Sequence, residues 1–259
     1  MPSLRSIFAV WFDAAGALLL CLGLGGCKSA QPPGPVTLED LVQRHTQARG
    51  GRSAIEAIGN LEARLRIVEP NFTVEGTWQV DRKGRMHIDV FADGKRVWSE
   101  AYDGSVAWDM AGDAEHGSPA KAGASALRHS AQLPTNILGL HEMGSHGHKL
   151  EYSGREAIDG AEYYVILLTL DDGFTTRYYL DPASFLIARA RVRKALHPDA
   201  DPTPTTIETV WSDFRPIAGV HFAFKARDTD LTTGKLLQTS ELLDLKANPP
   251  LDEQIFRMP

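Results

Sequence analysis

From residue 37 onward the chain carries two hydrophobic periods in succession, a helical one and then a strand-like one. Over 37–48, Leu38, Leu41, Val42, His45 and Ala48 fall on one side of a 3.6-residue repeat, which predicts an amphipathic helix. Thr37 stands at the N-cap position, and Asp40 follows three residues on in a capping-box-like arrangement. Gly50-Gly51 stops this helix. A second, shorter helix over 53–58 ends at Gly59. The period then becomes two. Leu61, Ala63, Leu65 and Ile67 alternate with Glu62, Arg64 and Arg66, the pattern of a strand with one wet face. Phe72 to Val80 and Met86 to Val90 repeat it, and Asp103-Gly104 joins 96–102 to 105–110 as a hairpin.

Residues 111–126 are rich in Gly, Ala and Ser and have no period, so they read as a loop. Residues 127–140 hold one or two helical turns, interrupted at Pro134. Strands resume over 151–158, 163–170, 174–180, 185–193, 206–214, 220–229 and 235–245. That makes about eleven or twelve strands joined mostly by tight turns. Parallel pairing needs long crossovers, so the sheet is antiparallel.

The fold predicted is mainly β (α+β): a single antiparallel incomplete β-barrel of about eleven strands wrapped around short helices. So large a curled sheet has more apolar face than two or three short helices can cover, and a large barrel left unfilled becomes a ligand cavity. Leu65, Ile67, Trp78, Met86, Ile88, Trp108, Tyr178, Trp211 and Phe222 are the candidates to line it. The plain alternative is that they form a packed core, and the parity that faces inward in the aromatic-rich strands stays open.

Composition narrows the function. With 259 residues, 43% of them hydrophobic and 23% charged, the chain is globular rather than disordered. A net charge of −6 without any Lys/Arg run excludes a nucleic-acid footprint. The two cysteines, Cys21 and Cys27, both lie near the start, which excludes a disulfide scaffold, a zinc ribbon and a CxxC centre.

Residues 1–26 read as a secretory signal: Arg5, then an apolar stretch to Leu24, then small residues. An uncleaved membrane helix is disfavoured by Asp13, since the apolar stretch beyond it is shorter than the roughly 20 residues a span needs. Leu24-Gly25-Gly26-Cys27 resembles the bacterial lipobox. The resemblance implies an acylated Cys27 as the first mature residue and, with Lys28 rather than Asp next, delivery to the periplasmic face of the outer membrane. Residues 27–36 form a Pro-rich tether, and 37–259 form the folded domain.

Several short segments carry a wider resemblance. They are His45-Thr46-Gln47-Ala48-Arg49-Gly50-Gly51, Tyr102-Asp103-Gly104-Ser105-Val106-Ala107-Trp108, Tyr179-Leu180-Asp181-Pro182-Ala183-Ser184-Phe185-Leu186, Ser212-Asp213-Phe214-Arg215 running to Gly219-Val220, and Asn248-Pro249-Pro250-Leu251-Asp252-Glu253-Gln254-Ile255-Phe256. In order and spacing they resemble the outer-membrane lipoprotein-sorting (LolA/LolB-like) periplasmic carriers, over roughly 37–259. The resemblance implies an incomplete barrel around helices and an apolar cavity for the acyl chains of a lipid or lipoprotein. It also implies membrane attachment through the lipid anchor and a periplasmic carrier protein as a partner. The lipobox is like that of the anchored LolB member, but no segment clearly matches that receptor's apolar insertion loop; Pro70-Asn71-Phe72 is the nearest stretch.

Other chemistry finds little support. His141, Glu142, His146 and His148 could in principle ligate zinc, but the spacing is not HExxH, and Gly144 and Gly147 suggest a solvated loop. GxSxG, Walker A and GxGxxG motifs do not occur. Arg189, Arg191 and Arg193 line one side of a strand and read as a wet outer face. The expectation is a non-enzymatic binding protein with no catalytic residues, no metal and no cofactor. The rivals are an envelope sensor or protein-interaction module on the same sheet, and a hydrolase with an unrecognised site.

Overall fold

The computed structural model describes residues 35–120, 123–198 and 200–259. Residues 1–34, and with them the signal, Cys27 and most of the tether, lie outside the described residues. Helix α1 spans Leu38–Arg49, and the capping box forms as the spacing requires: Asp40 N–H donates to Thr37 Oγ1 at 3.1 Å, and Thr37 N–H to Asp40 Oδ2 at 3.1 Å. Helix α2 is Arg52–Glu56.

Strands β1 (Asn60–Glu69), β2 (Phe72–Asp81), β3 (Met86–Ala92), β4 (Lys95–Tyr102), β5 (Ala107–Ala111) and the two-residue β6 (Ser118–Pro119) then run as a meander. Helix α3, Gly123–Ala131, begins inside the stretch expected to be loop. A 3-10 helix, Leu140–His146, replaces the expected solvated loop around the histidines. The second meander comprises β7 (Lys149–Ile158), β8 (Ala161–Thr169), β9 (Thr175–Leu180), β10 (Ile187–Lys194), β11 (Thr205–Ile217), β12 (Val220–Asp230) and β13 (Leu236–Ala247).

Among the described residues these thirteen strands make one sheet in the order β6-β5-β4-β3-β2-β1-β13-β12-β11-β10-β9-β8-β7. Neighbouring strands are antiparallel throughout, and β6 and β7 are left as edges, so the barrel is incomplete. The two meanders meet in the centre, where β1 pairs with β13 from Leu61↔Ala247 to Val68↔Thr239. The chain must therefore travel from the β6 edge to the β7 edge between its halves. That passage carries α3 and the 3-10 helix.

The main core lies between the sheet and this cover. Leu41 of α1, Ile55 of α2 and Leu140 and Met143 of the 3-10 helix pack against Tyr164, Ile166, Leu168 and Tyr178 of the second meander. Leu127 and Ala131 of α3 pack on Met86, Tyr102 and Ala107 at the opposite flank. A glycine fixes how closely α1 approaches the sheet: a Cβ on Gly50 (φ +134°) would lie 2.1 Å from the Gly219 carbonyl oxygen. Only a bare Cα permits that contact.

The convex face is not uniformly wet. Arg189 and Arg191, expected on an open outer face, are largely covered and converge on Glu208 at 3.1 and 2.7 Å; Arg191 also meets Glu156 at 2.6 Å. Their guanidinium groups lie over the Tyr163 and Tyr179 rings. Elsewhere on this face the C-terminal 3-10 turn, Glu253–Phe256, buries Phe256 completely.

Candidate functional site

The two flanks filled by helices leave the middle of the concave face open, and there a cavity of about 390 Å³ is found. This volume is in the range of small-molecule sites. Its floor is built by the strand alternation. Leu61 and Leu65 of β1, Trp78 of β2 and Ile88 of β3 contribute from one meander. Trp211 of β11, Phe222 and Phe224 of β12, and Leu242 and Leu245 of β13 contribute from the other. The seam between β1 and β13 runs along the floor.

The roof comes from α1 and the chain between α3 and the 3-10 helix. Arg49, 4% exposed, donates from its guanidinium to the carbonyl oxygens of Pro134 (2.6 Å), Leu138 (2.5 Å) and Asn136 (2.5 Å). Its Cζ lies over the Phe222 ring, 5.4 Å from the centroid, so the roof is pinned above the floor. Burial lowers the Arg49 pKa to about 10, still well above neutral pH, so the group remains a cation held by backbone dipoles. One turn earlier His45 Nδ1 lies 2.9 Å from the Phe185 carbonyl oxygen. Burial first, and then the Arg49 charge, lowers its pKa to about 3. The ring is neutral, with Nδ1–H donating to that carbonyl, and Nε2 has no hydrogen-bond partner.

One end of the cavity is polar. Thr209, Asp228 and Gln238 are direct cross-strand partners on β11, β12 and β13. Thr209 Oγ1 donates to Asp228 Oδ1 at 2.6 Å and Gln238 Nε2 to Asp228 Oδ2 at 2.7 Å. Along β12 the same face reads Phe222, Phe224, Ala226, Asp228, so the lining runs from aromatic to charged over about 20 Å at ~3.4 Å per residue.

Of the nine residues expected to line a cavity, the structure brings Leu65, Trp78, Met86, Ile88, Trp211 and Phe222 together around this one. Three stand elsewhere. Ile67 shares the concave parity of Leu65 but lies further along β1, past the cavity. Tyr178 is fully buried among the residues that meet the helices. Trp108 lies on the convex face with Ala101 and Met110, its Nε1–H donating to the Phe256 carbonyl at 2.8 Å. The inward residue of that strand end is Ala107, which packs with Met86, Tyr102 and Leu127.

Sequence reasoning missed the roof residues His45 and Arg49 and the polar row. His45 was legible as a member of the apolar face of α1; Arg49, at a helix end, reads as an ordinary dipole-compatible cation.

The histidine segment is built into the fold. His141 Nδ1 lies 3.3 Å from Thr46 Oγ1, and its Nε2 lies 3.4 Å from Glu56, while the rings of His146 and His148 stack at 6.3 Å. Among the described residues no group of three His, Cys, Asp or Glu side chains is placed to hold a metal ion. Phe72, the first residue of β2, is 47% exposed. No helix among the described residues is long and apolar enough to cross a membrane.

Protein-family models and curated protein sequences give no match to this chain. Solved structures do. A LolA superfamily protein of Nitrosomonas europaea is similar with a TM-score of 0.57 at 14% identity, over 86% of this chain and 98% of that one. An outer membrane lipoprotein-sorting protein domain of Vibrio parahaemolyticus gives 0.56 at 11% identity, over 83% and 95%. A DUF1329 family protein of Desulfovibrio piger gives 0.55 at 12% identity, over 85% and 96%. An open antiparallel sheet curled over short helices, matched along nearly the full length of these proteins, identifies the fold of this chain as the LolA-like incomplete barrel.

Proposed function

We propose that this protein binds the acyl chains of a lipid or lipoprotein in its central cavity and serves lipid or lipoprotein trafficking in the bacterial envelope, as a non-enzymatic carrier or acceptor. In this reading Cys27 carries the anchor, residues 27–36 are the tether, and the domain works at the periplasmic face of the outer membrane, exchanging cargo with a periplasmic carrier protein. The observation that carries the proposal is the apolar floor beneath a roof hung on one arginine. Burying a methylene is worth about 0.8 kcal/mol, so ten of them offer roughly 8 kcal/mol before the costs of association, enough for useful affinity without any reactive group. The fold shared with the lipoprotein-sorting domain supports the same reading.

Organic extraction and mass spectrometry of the purified protein should recover stoichiometric lipid. A fluorescent fatty-acid probe should bind the delipidated protein, and Trp78→Glu or Ile88→Glu should abolish that binding while far-UV circular dichroism stays unchanged. Folded Trp78→Glu and Ile88→Glu variants that both hold the probe as tightly as wild type would overturn the reading.

A further inference from the structure

The floor of the cavity is not apolar throughout: its polar end carries the carboxylate of Asp228, while Lys225, which also borders the cavity, is engaged with Glu241 at 3.8 Å. Thr209, Asp228 and Gln238 sit side by side in register across three strands, with Ser240 in the next row as the partner of Ala226. All four border the cavity. Both carboxylate oxygens of Asp228 accept hydrogen bonds, but only from a hydroxyl and an amide. Neutral donors orient the charge and leave it in place, and no ion pair neutralises it among the described residues. Elsewhere on this sheet acidic groups meet cations, as Glu208 meets Arg189 and Arg191. The concave parity otherwise carries Phe222 and Phe224, so a half-buried carboxylate there costs desolvation and calls for a counter-charge. The one cation of the roof, Arg49, cannot supply it. Its guanidinium is committed to three carbonyl oxygens above Phe222, at the far end of the same strand face.

From this arrangement we infer that the cavity selects an amphiphile whose head carries a protonated amine, bound to Asp228 with the Gln238 and Ser240 side chains alongside, while its tail runs toward Phe222. The distance from Asp228 to Phe222 along β12, about 20 Å, suits an extended acyl chain with its head at the polar row. The inference rests on the acyl-binding reading and adds to it the class of headgroup. An ammonium meets the Asp228 carboxylate as an ion pair with both partners charged, whereas a hydroxyl head brings only a neutral donor and leaves the carboxylate without a counter-charge.

The test uses the full chain carrying Cys27→Ser, which removes any acyl anchor, and displacement of a bound fluorescent fatty acid. The competitors are lysophosphatidylethanolamine, its N-acetylated derivative and lysophosphatidylglycerol with the same tail. The ethanolamine head should displace the probe at roughly tenfold lower concentration than either of the others. Phosphoethanolamine, which has the head and no tail, should displace nothing; displacement by it would overturn the proposal in favour of a small-amine site. Asp228→Asn should reduce the tenfold preference to less than about twofold while the probe itself binds as before. Should that variant fail to fold, the N-acetylated competitor still decides, because it removes the positive charge from the ligand instead. Equal displacement by the three lysolipids, or an unchanged preference in folded Asp228→Asn, overturns the headgroup assignment and leaves acyl binding standing. Preference for the anionic glycerol head moves recognition to Arg49 and likewise overturns it. Failure of the probe to bind at all overturns the acyl-binding reading, and this inference falls with it.

Discussion

Arg49→Met isolates what the roof contributes. The substitution keeps an unbranched apolar stem above Phe222 and deletes the donors to Pro134, Asn136 and Leu138. Pro134 and Leu138 are buried, so two carbonyl groups lose their partners out of reach of water, at about 1–3 kcal/mol each. An opposing effect comes from the guanidinium itself. Its pKa falls from 12.5 to about 10 on burial, which means that keeping this charge inside costs on the order of 3 kcal/mol, a cost that Met does not carry. Taking the middle of each range, about 4 kcal/mol lost against about 3 kcal/mol regained, the balance is a modest global loss of about 1 kcal/mol, or roughly 2–4 °C in Tm for a domain of this size. The local effect is larger in proportion, because every lost bond belongs to one segment. A roof that opens with about 2 kcal/mol less effort should exchange its amides about 30-fold faster. Hydrogen exchange read by mass spectrometry on peptides covering 133–140 would measure this, with peptides from β11 and β12 as the internal reference. The fatty-acid probe should enter and leave faster than in wild type. Unchanged exchange over 133–140 in a variant whose Tm has also not moved would show that Arg49 does not hold the roof, and the reasoning would be refuted.

The remaining predictions concern the supports around the cavity. His45 has a folded pKa near 3 against an ordinary 6.5, so its neutral form contributes stability that is complete above pH 6.5 and lost as pH falls toward 3. By pH 4 that loss reaches about 3 kcal/mol, and urea titrations at pH 7 and pH 4 should show a smaller difference between the two pH values in His45→Gln than in wild type. Gly50→Ala forces a methyl against the Gly219 carbonyl and should cost more than about 3 kcal/mol by thermal unfolding; a Tm within a degree or two of wild type would contradict the packing of α1. Trp108→Phe removes the bond to the Phe256 carbonyl and should lower stability by about 1–2 kcal/mol, yet leave probe affinity unchanged because this side chain is on the convex face.

Much of the architecture was legible because the rules that set it are local. Thr37 and Asp40 announce the start of α1 by spacing alone, and the alternation through Leu61 to Ile67 specifies a strand with one dry side. What alternation cannot say is which cover makes a side dry. Trp108 and Met110 form a good apolar parity, but the carbonyl that takes up the Trp108 Nε1–H belongs to Phe256, almost 150 residues away. Tyr178 was misplaced for a related reason: helices fill the flank where it stands and leave the centre empty, and strand composition does not separate flank from centre. The polar row was invisible because Thr209, Asp228 and Gln238 are unremarkable singly; only the register of three strands makes them neighbours. Arg49 was hidden too, since nothing near it in the sequence foretells three carbonyl partners from a passage between two distant strands.

The pairing of β1 with β13 has a consequence for how the molecule is made. It ties Leu61 to Ala247, residues 186 positions apart in sequence, and such long-range closure is slow and comes late. Until the last strand has been synthesised, β1 stays an open edge able to pair with a strand from another chain. A product ending before residue 236 would thus lack the central floor strand and expose that edge throughout its life, making it prone to aggregation or degradation rather than a smaller working carrier.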